Sequence, residues 1–259
     1  MDSVSECRVE PIPAFADNYL WLIVRDSRAA VADPGDADAV RQRLASGGLD
    51  LEAILVTHHH GDHVGGVAEL RRATGARVYG PRGEAIPAVD DRLAGGERCE
   101  VLGIDFEVID VPGHTRGHVA YFAPQPRWLF CGDTLFGAGC GRLFEGTAEQ
   151  MSASLDRLAA LPGETQVYCA HEYTLANLRF ALAVEPGNEA LHRRRQACAD
   201  LRQRGEPTLP STIAEERATN PFLRCDVPAV RRSAERQAGR PLAARSEVFA
   251  ALRQWKNTY

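Results

Sequence analysis

Thr57-His58-His59-His60-Gly61-Asp62-His63 follows directly on the apolar run Ala53-Ile54-Leu55-Val56. A short apolar run of this kind reads as a buried strand, so the polar heptapeptide falls where the strand gives way to a loop. Four imidazoles and a carboxylate crowded together waste core space when neutral and repel one another when protonated. A divalent cation removes both objections, because imidazole nitrogen and carboxylate oxygen are common ligands for zinc and related ions.

The same grammar recurs three times further along the chain. Ile109-Asp110-Val111-Pro112-Gly113 leads into His114, Trp128-Leu129-Phe130-Cys131-Gly132 into Asp133, and Val167-Tyr168-Cys169-Ala170 into His171. Four strand ends that each deliver a His or Asp can converge on one edge of a sheet, where open α/β folds place their sites. Taken singly, His114 or His171 is more ordinary as a core or cap histidine; the repetition makes the metal site the better explanation.

The remaining pattern indicates an α/β protein. Strands are expected at Tyr19–Val24, Ala29–Ala32, Ala53–Val56, Arg77–Tyr79, Phe106–Val111, Val119–Phe122, Trp128–Cys131 and Gln166–Cys169. Helices are expected at Ala37–Ala45, Val64–Ala73 and Glu149–Leu161. Successive strands without intervening helices at Phe106–Cys131 point to antiparallel stretches and a layered sandwich, not a doubly wound parallel sheet. After His171 helices are expected at Thr174–Ala183, Glu189–Gln203 and Ser246–Trp255, and no strand, which sets a domain boundary near residue 171.

Bulk properties narrow the function classes. The 259 residues are 44% hydrophobic and 25% charged, an ordinary globular composition long enough for a sizeable core. No apolar stretch approaches the ~20 residues that span a bilayer, so no membrane partner is expected. The start, Met1–Glu6, lacks a basic region followed by an apolar one, so no signal peptide is expected. Seven dispersed cysteines without a Cys-x-x-Cys pair suggest reduced thiols and a cytoplasmic location. Residues 1–171 carry 15 arginines against 25 acids, and residues 172–259 carry 15 basic residues against 10 acids. That basic excess is too mild to argue for nucleic acid but suits a small anionic ligand. No Gly-x-Ser-x-Gly elbow is present, which disfavours a covalent serine hydrolase.

His58-x-His60-x-Asp62-His63, Pro112-Gly113-His114-Thr115-x-Gly117-His118, Gly132-Asp133-Thr134 and His171 together resemble the metallo-β-lactamase superfamily of binuclear hydrolases. The resemblance implies an αββα metallo-β-lactamase sandwich followed by a C-terminal α-helical domain. It also implies one metal held by His58, His60 and His114, a second by Asp62, His63 and His171, and Asp133 bridging them. Asp62 would orient a metal-bridged hydroxide. His59 is not a ligand in that pattern, and His118 matches a supporting, non-ligating histidine. Zinc is the expected metal, with iron and manganese also compatible with the donors.

Further segments resemble the hydroxyacylglutathione hydrolase, or glyoxalase II, family over essentially the whole chain. They are Phe15-Ala16-Asp17-Asn18-Tyr19-Leu20-Trp21, Gly139-Cys140-Gly141-Arg142-Leu143-Phe144-Glu145-Gly146-Thr147, Ala170-His171-Glu172-Tyr173-Thr174 and Thr219-Asn220-Pro221-Phe222-Leu223-Arg224. This implies residues 1–171 as a catalytic domain and 172–259 as a helical glutathione-binding domain. The implied reaction is hydrolysis of S-(2-hydroxyacyl)glutathione, chiefly S-lactoylglutathione, to glutathione and D-lactate, the second step of methylglyoxal detoxification. Substrate contacts are implied for Arg142, Tyr173, Arg253 and Lys256, the last being the only lysine in the chain. Phe144 departs from the pattern, where tyrosine is common. The protein is expected to act as a monomer on this small-molecule thioester. The competing expectations are a glutathione persulfide dioxygenase or another hydrolase of the same fold. Against the lactamases stands Asp133, where those enzymes generally carry cysteine.

Overall fold

The computed structural model describes residues 7–259; Met1–Glu6, on which the expectation of no signal peptide rests, lie outside the described residues. The chain forms two compact units. One holds the chain up to Asp110 together with Gly117–Gly132, the other Val111–Arg116 with Asp133–Tyr259, so density divides the chain at points other than residue 171.

The first unit opens with β1 (Arg8–Ala14), β2 (Asn18–Arg25) and β3 (Arg28–Ala32), paired antiparallel in that order. Sequence pattern did not mark β1 because Pro11 and Pro13 interrupt it; an edge strand tolerates proline, and β1 is the edge of its sheet. Helix α1 (Ala37–Gly47), capped by the Asp36 carboxylate, leads to β4 (Asp50–Leu55), which pairs parallel with β3. Leu20, Leu22, Val31 and Ile54 from the strands pack with Val40 and Leu44 of α1 in a buried cluster. Each such side chain contributes about 1.5–3 kcal/mol on burial.

The helix expected at Val64–Ala73 is two pieces, α2 (Gly61–Val64) and α3 (Val67–Thr74). At Gly66 the backbone N–H leaves the helical ladder to donate to the Pro34 carbonyl, 2.9 Å away. A Cβ on Gly65 or Gly66 would meet backbone of Pro34–Ala37 within 2.8 Å, and one on Gly35 would sit 1.9 Å from the Asp62 carbonyl oxygen. The glycines therefore let the loop after β3 press against the histidine loop, and the helix breaks to permit it. Strands β5 (Arg77–Pro81) and β6 (Asp91–Leu93) complete the first sheet in parallel. A second, antiparallel run follows: β7 (Arg98–Val101), β8 (Ile104–Asp110), β9 (Val119–Ala123) and β10 (Trp128–Gly132).

In the second unit a short hairpin, β11 (Leu135–Phe136) and β12 (Gly139–Cys140), precedes α4 (Ala148–Ala159), whose start is a Thr147/Gln150 capping box. Then come β13 (Gln166–Cys169), α5 (Thr174–Val184) and α6 (Glu189–Gln203). The expectation of no strand beyond His171 fails at β14 (Ser211–Thr212), which pairs antiparallel with β13. Two residues carry no readable period, and only the pairing partner makes them a strand. Three helices end the chain: α7 (Ile213–Thr219), α8 (Pro228–Ala238) and α9 (Arg245–Thr258). Among the described residues no helix is long and apolar enough to cross a membrane.

Candidate metal centre and pocket

In the first unit the heptapeptide leaves the end of β4 surrounded by polar neighbours. The Asp33 carboxylate accepts from the Thr57 N–H (2.7 Å) and the Thr57 hydroxyl (2.8 Å). With its proton spent there, Thr57 Oγ1 can only accept from His58 Nδ1, 3.1 Å away. On the other side of the ring, His58 Nε2 lies 3.1 Å from His60 Nδ1. His63 Nδ1 lies 3.1 Å from the same Asp33 carboxylate, and its Nε2 lies 3.6 Å from Asp62 Oδ2. Imidazole nitrogens and a carboxylate gathered this closely form a donor set that suits a cation. Asn18 Nδ2 donates to Asp62 Oδ2 at 3.1 Å and steadies that carboxylate.

His59 is turned aside as expected: its backbone N–H and Nδ1 both meet Glu84 Oε2, at 2.6 and 2.7 Å. The other oxygen of buried Glu84 accepts from the Gly117 N–H, tying the histidine loop to the loop before β9. His118 stacks on His58 (ring centroids 4.5 Å, 16° between planes), with Nδ1 bonded to the Val119 carbonyl. His192 is exposed on α6.

The second unit gathers the other three expected ligands. His114 Nδ1 lies 2.9 Å from the Arg142 carbonyl, which can only accept, so Nδ1 carries the proton and Nε2 the lone pair. That Nε2 faces Asp133 Oδ2 at 3.4 Å, and His171 Nε2 faces Asp133 Oδ1 at 3.4 Å. One buried carboxylate between two imidazole nitrogens is again a donor set suited to a cation. Gly141 is required beside it, since a Cβ there would sit 1.9 Å from the Asp133 carbonyl oxygen.

A cavity of about 480 Å³ in the second unit is lined by His114 and Asp133 together with Phe136, Cys140, Arg142, Phe144, Tyr173, Asn177, Arg253 and Lys256. Every substrate contact expected from sequence is on that wall. Phe144 (63% exposed) sets its ring edge on His114, and Tyr173 stacks flat on His171 at 4.8 Å. Arg253 (6% exposed) donates from Nη1 to the Cys140 carbonyl (2.8 Å) and lies over the Phe222 ring, while its Nε is buried without a hydrogen-bond partner. Burial, and then the charges of Arg253, Arg179 and Arg142, lower the Lys256 pKa below the usual lysine range. Burial pushes the Cys140 thiol up to about 11, so it stays protonated at neutral pH.

Sequence reasoning passed over Asp33, Glu84 and Asn18. Asp33 had a signal, since Ala32-Asp33-Pro34-Gly35 is a fifth strand end that delivers a ligand-type residue. Glu84 had none, as it arrives from an irregular loop.

Two sheets, flanking helices and His/Asp donors at successive strand ends define a metal-dependent enzyme fold of the metallo-β-lactamase superfamily, whose family model matches residues 16–171. The model described as hydroxyacylglutathione hydrolase C-terminus matches residues 172–259. Hydroxyacylglutathione hydrolase of Dechloromonas aromatica is 56% identical over 261 residues, covering 96% of this chain and 98% of that protein. The same-named protein of Pseudomonas aeruginosa strain LESB58 is 56% identical over 256 residues, covering 97% and 99%. The chain belongs to the hydroxyacylglutathione hydrolase family.

Divalent metal ions are the cofactors this family and these donors define. Among solved structures, ETHE1 from Myxococcus xanthus is 26% identical, with a TM-score of 0.67, covering 96% of this chain and 91% of that one. The BLEG-1 B3 metallo-beta-lactamase shares the fold at a TM-score of 0.62 and 24% identity, covering 84% and 99%. Both alignments run well past residue 171, so chain beyond that point does not by itself separate activities; the C-terminal family match does. TTHA1623, solved in a di-iron-bound form, is 34% identical with a TM-score of 0.53, covering 62% of this chain and 91% of that one.

Proposed function

We propose that the protein hydrolyses S-(2-hydroxyacyl)glutathione, chiefly S-lactoylglutathione, to glutathione and D-lactate, as the second step of methylglyoxal detoxification. One observation carries the reading: two metal-ligand residues, His114 and Asp133, share a cavity with a cluster of cations suited to a thiol that bears carboxylates. The name of the relatives at 56% identity points the same way. In this reading residues 1–171 form the catalytic domain and 172–259 the glutathione-binding one.

Two ions, zinc in our proposal, would be held by His58, His60 and His114 and by Asp62, His63 and His171, with Asp133 available to both. The gathered donor atoms described above support the ligand roles, and the di-iron form of TTHA1623 supports the count and keeps iron as the alternative metal. When bound, such ions make water acidic enough to ionise near neutral pH and stabilise a developing oxyanion. The Asp62 carboxylate, steadied by Asn18, accepts a hydrogen bond from the attacking water and fixes its direction. Arg142, Arg253 and Lys256 hold the glutathione carboxylates, and the Tyr173 phenol donates near the sulfur or the adjoining amide. Phe144 supplies an apolar wall there without the hydroxyl of tyrosine. The leaving thiolate is stable at neutral pH, so no general acid is required. Seven cysteines outside any disulfide support a cytoplasmic location, and the enzyme is proposed to act as a monomer.

Loss of thioester absorbance with S-lactoylglutathione, on protein whose metals are quantified in parallel, tests the proposal. Rapid turnover at about two metals per chain is expected. No turnover at full metal loading would overturn the substrate assignment.

A further inference from the structure

The hairpin β11–β12 lies in sequence between Asp133 and Arg142, and two buried side chains of α7 and its end hold it. Glu216 Oε2 accepts from the Ala138 N–H at 2.8 Å. Asn220 Nδ2 donates to the Gly139 carbonyl (2.8 Å), the Phe136 carbonyl (3.3 Å) and Glu216 Oε2 (3.0 Å). Arg194 from α6 neutralises the carboxylate through a 2.6 Å bond to Glu216 Oε1 and anchors to the Thr219 hydroxyl. A third side chain, Asn177, donates to the Gly137 carbonyl at 3.0 Å. Ala138 has φ +54°, a left-handed conformation that a residue with a Cβ keeps only where its surroundings hold it. The next strand of the hairpin ends on Cys140, whose carbonyl receives Arg253.

We infer that Glu216 and Asn220 are positioning residues for thiol recognition: by clamping the Leu135–Cys140 hairpin they fix the Cys140 carbonyl that aims Arg253 into the pocket. The role rests on the glutathione thioesterase reading and adds residues that touch neither metal nor substrate. All three groups against the Glu216 carboxylate are donors, so an amide in its place presents an N–H to a donor and releases one contact. The hairpin then relaxes at Ala138, and Arg253 loses its fixed partner while the metal ligands keep theirs.

The experiment uses the metal-loaded full chain and follows S-lactoylglutathione hydrolysis and, by calorimetry, binding of glutathione alone. Wild-type turnover decides the thioesterase reading; the variants decide this one. Glu216→Gln is expected to raise KM, and the Kd for glutathione, about tenfold, the effect of one misaligned charge-assisted hydrogen bond. Its kcat and metal content stay at the wild-type level, and hydrolysis of a neutral N-acetylcysteamine thioester is unchanged. In an Arg253→Met background the same substitution adds nothing, because its effect passes through Arg253. Should Glu216→Gln fail to fold, Asn220→Ser, which removes the two donations to hairpin carbonyls, is read against the same criteria. An unchanged KM in a folded variant overturns the inference. So do equal losses on both thioesters, which mark a purely structural role, or effects that multiply with Arg253→Met.

Discussion

Replacing Arg253 by methionine keeps the length and the apolar stem of the side chain while deleting its charge. The guanidinium is nine-tenths buried, already directed by the Cys140 carbonyl, and has Nε free to receive an acceptor. A charge-assisted hydrogen bond at such a site is worth about 1.5–3 kcal/mol. At ~1.4 kcal/mol per decade, its loss raises KM for S-lactoylglutathione roughly 10- to 150-fold. Because Arg253 meets the carboxylate end of the substrate equally in ground and transition states, kcat should change by less than about threefold. The Cys140 carbonyl loses its donor as well, costing on the order of 1–3 kcal/mol of stability, visible as a lower urea midpoint. Initial-rate kinetics on S-lactoylglutathione, with metal content measured on the same sample, read both parameters. Unchanged KM, or a fall in kcat with KM intact, would refute the placement of Arg253 at the thiol's carboxylate.

Three more outcomes follow from the same site. Asp133→Ala opens the carboxylate seat between His114 and His171, so metal content and turnover should both be lost; near-normal turnover would remove Asp133 from the metal set. Lys256 has its pKa held below 10.5 by burial and neighbouring arginines, so its charge is lost at a lower pH than that of an ordinary lysine. KM should therefore rise as pH climbs through that lowered value, and the rise should vanish in Lys256→Met. Without ligand the unfolded chain holds this proton more tightly, so Lys256 costs stability below its folded pKa, and the cost fades as pH approaches 10.5. Lys256→Met should then melt above wild type at neutral pH. Phe144→Tyr restores a hydroxyl on an exposed ring, and one neutral hydrogen bond predicts a KM lower by about 2- to 10-fold; an unchanged KM would mean that this ring does not reach glutathione.

The proposed metal donors were legible because each follows an apolar run. Strand ends are set by local pattern, and a histidine or aspartate just past one has few structural reasons to be there. Arg253 and Lys256 were legible as a pair three residues apart on one helical face. The break at Gly65-Gly66 was not, because a periodic apolar pattern continues through it; only the approach of the Pro34–Asp36 backbone forbids a continuous helix. Strand β14 escaped for a similar reason, being two residues whose only strand signal is the partner they meet.

Sequence alone determined most of the long strands and helices, the seven expected donor residues and the resemblance that carries the chemistry, since these depend on residue type and on spacing within a few turns or strands. Tertiary structure decided what meets the Nδ1 side of His58, His63 and His114: the Thr57 hydroxyl, the Asp33 carboxylate and the Arg142 carbonyl. It also decided that Glu84 serves the histidine loop and that Glu216 and Asn220 hold a hairpin about 80 residues before them. A buried polar group must be satisfied by whatever the fold brings near, and no local pattern records which distant residue that will be.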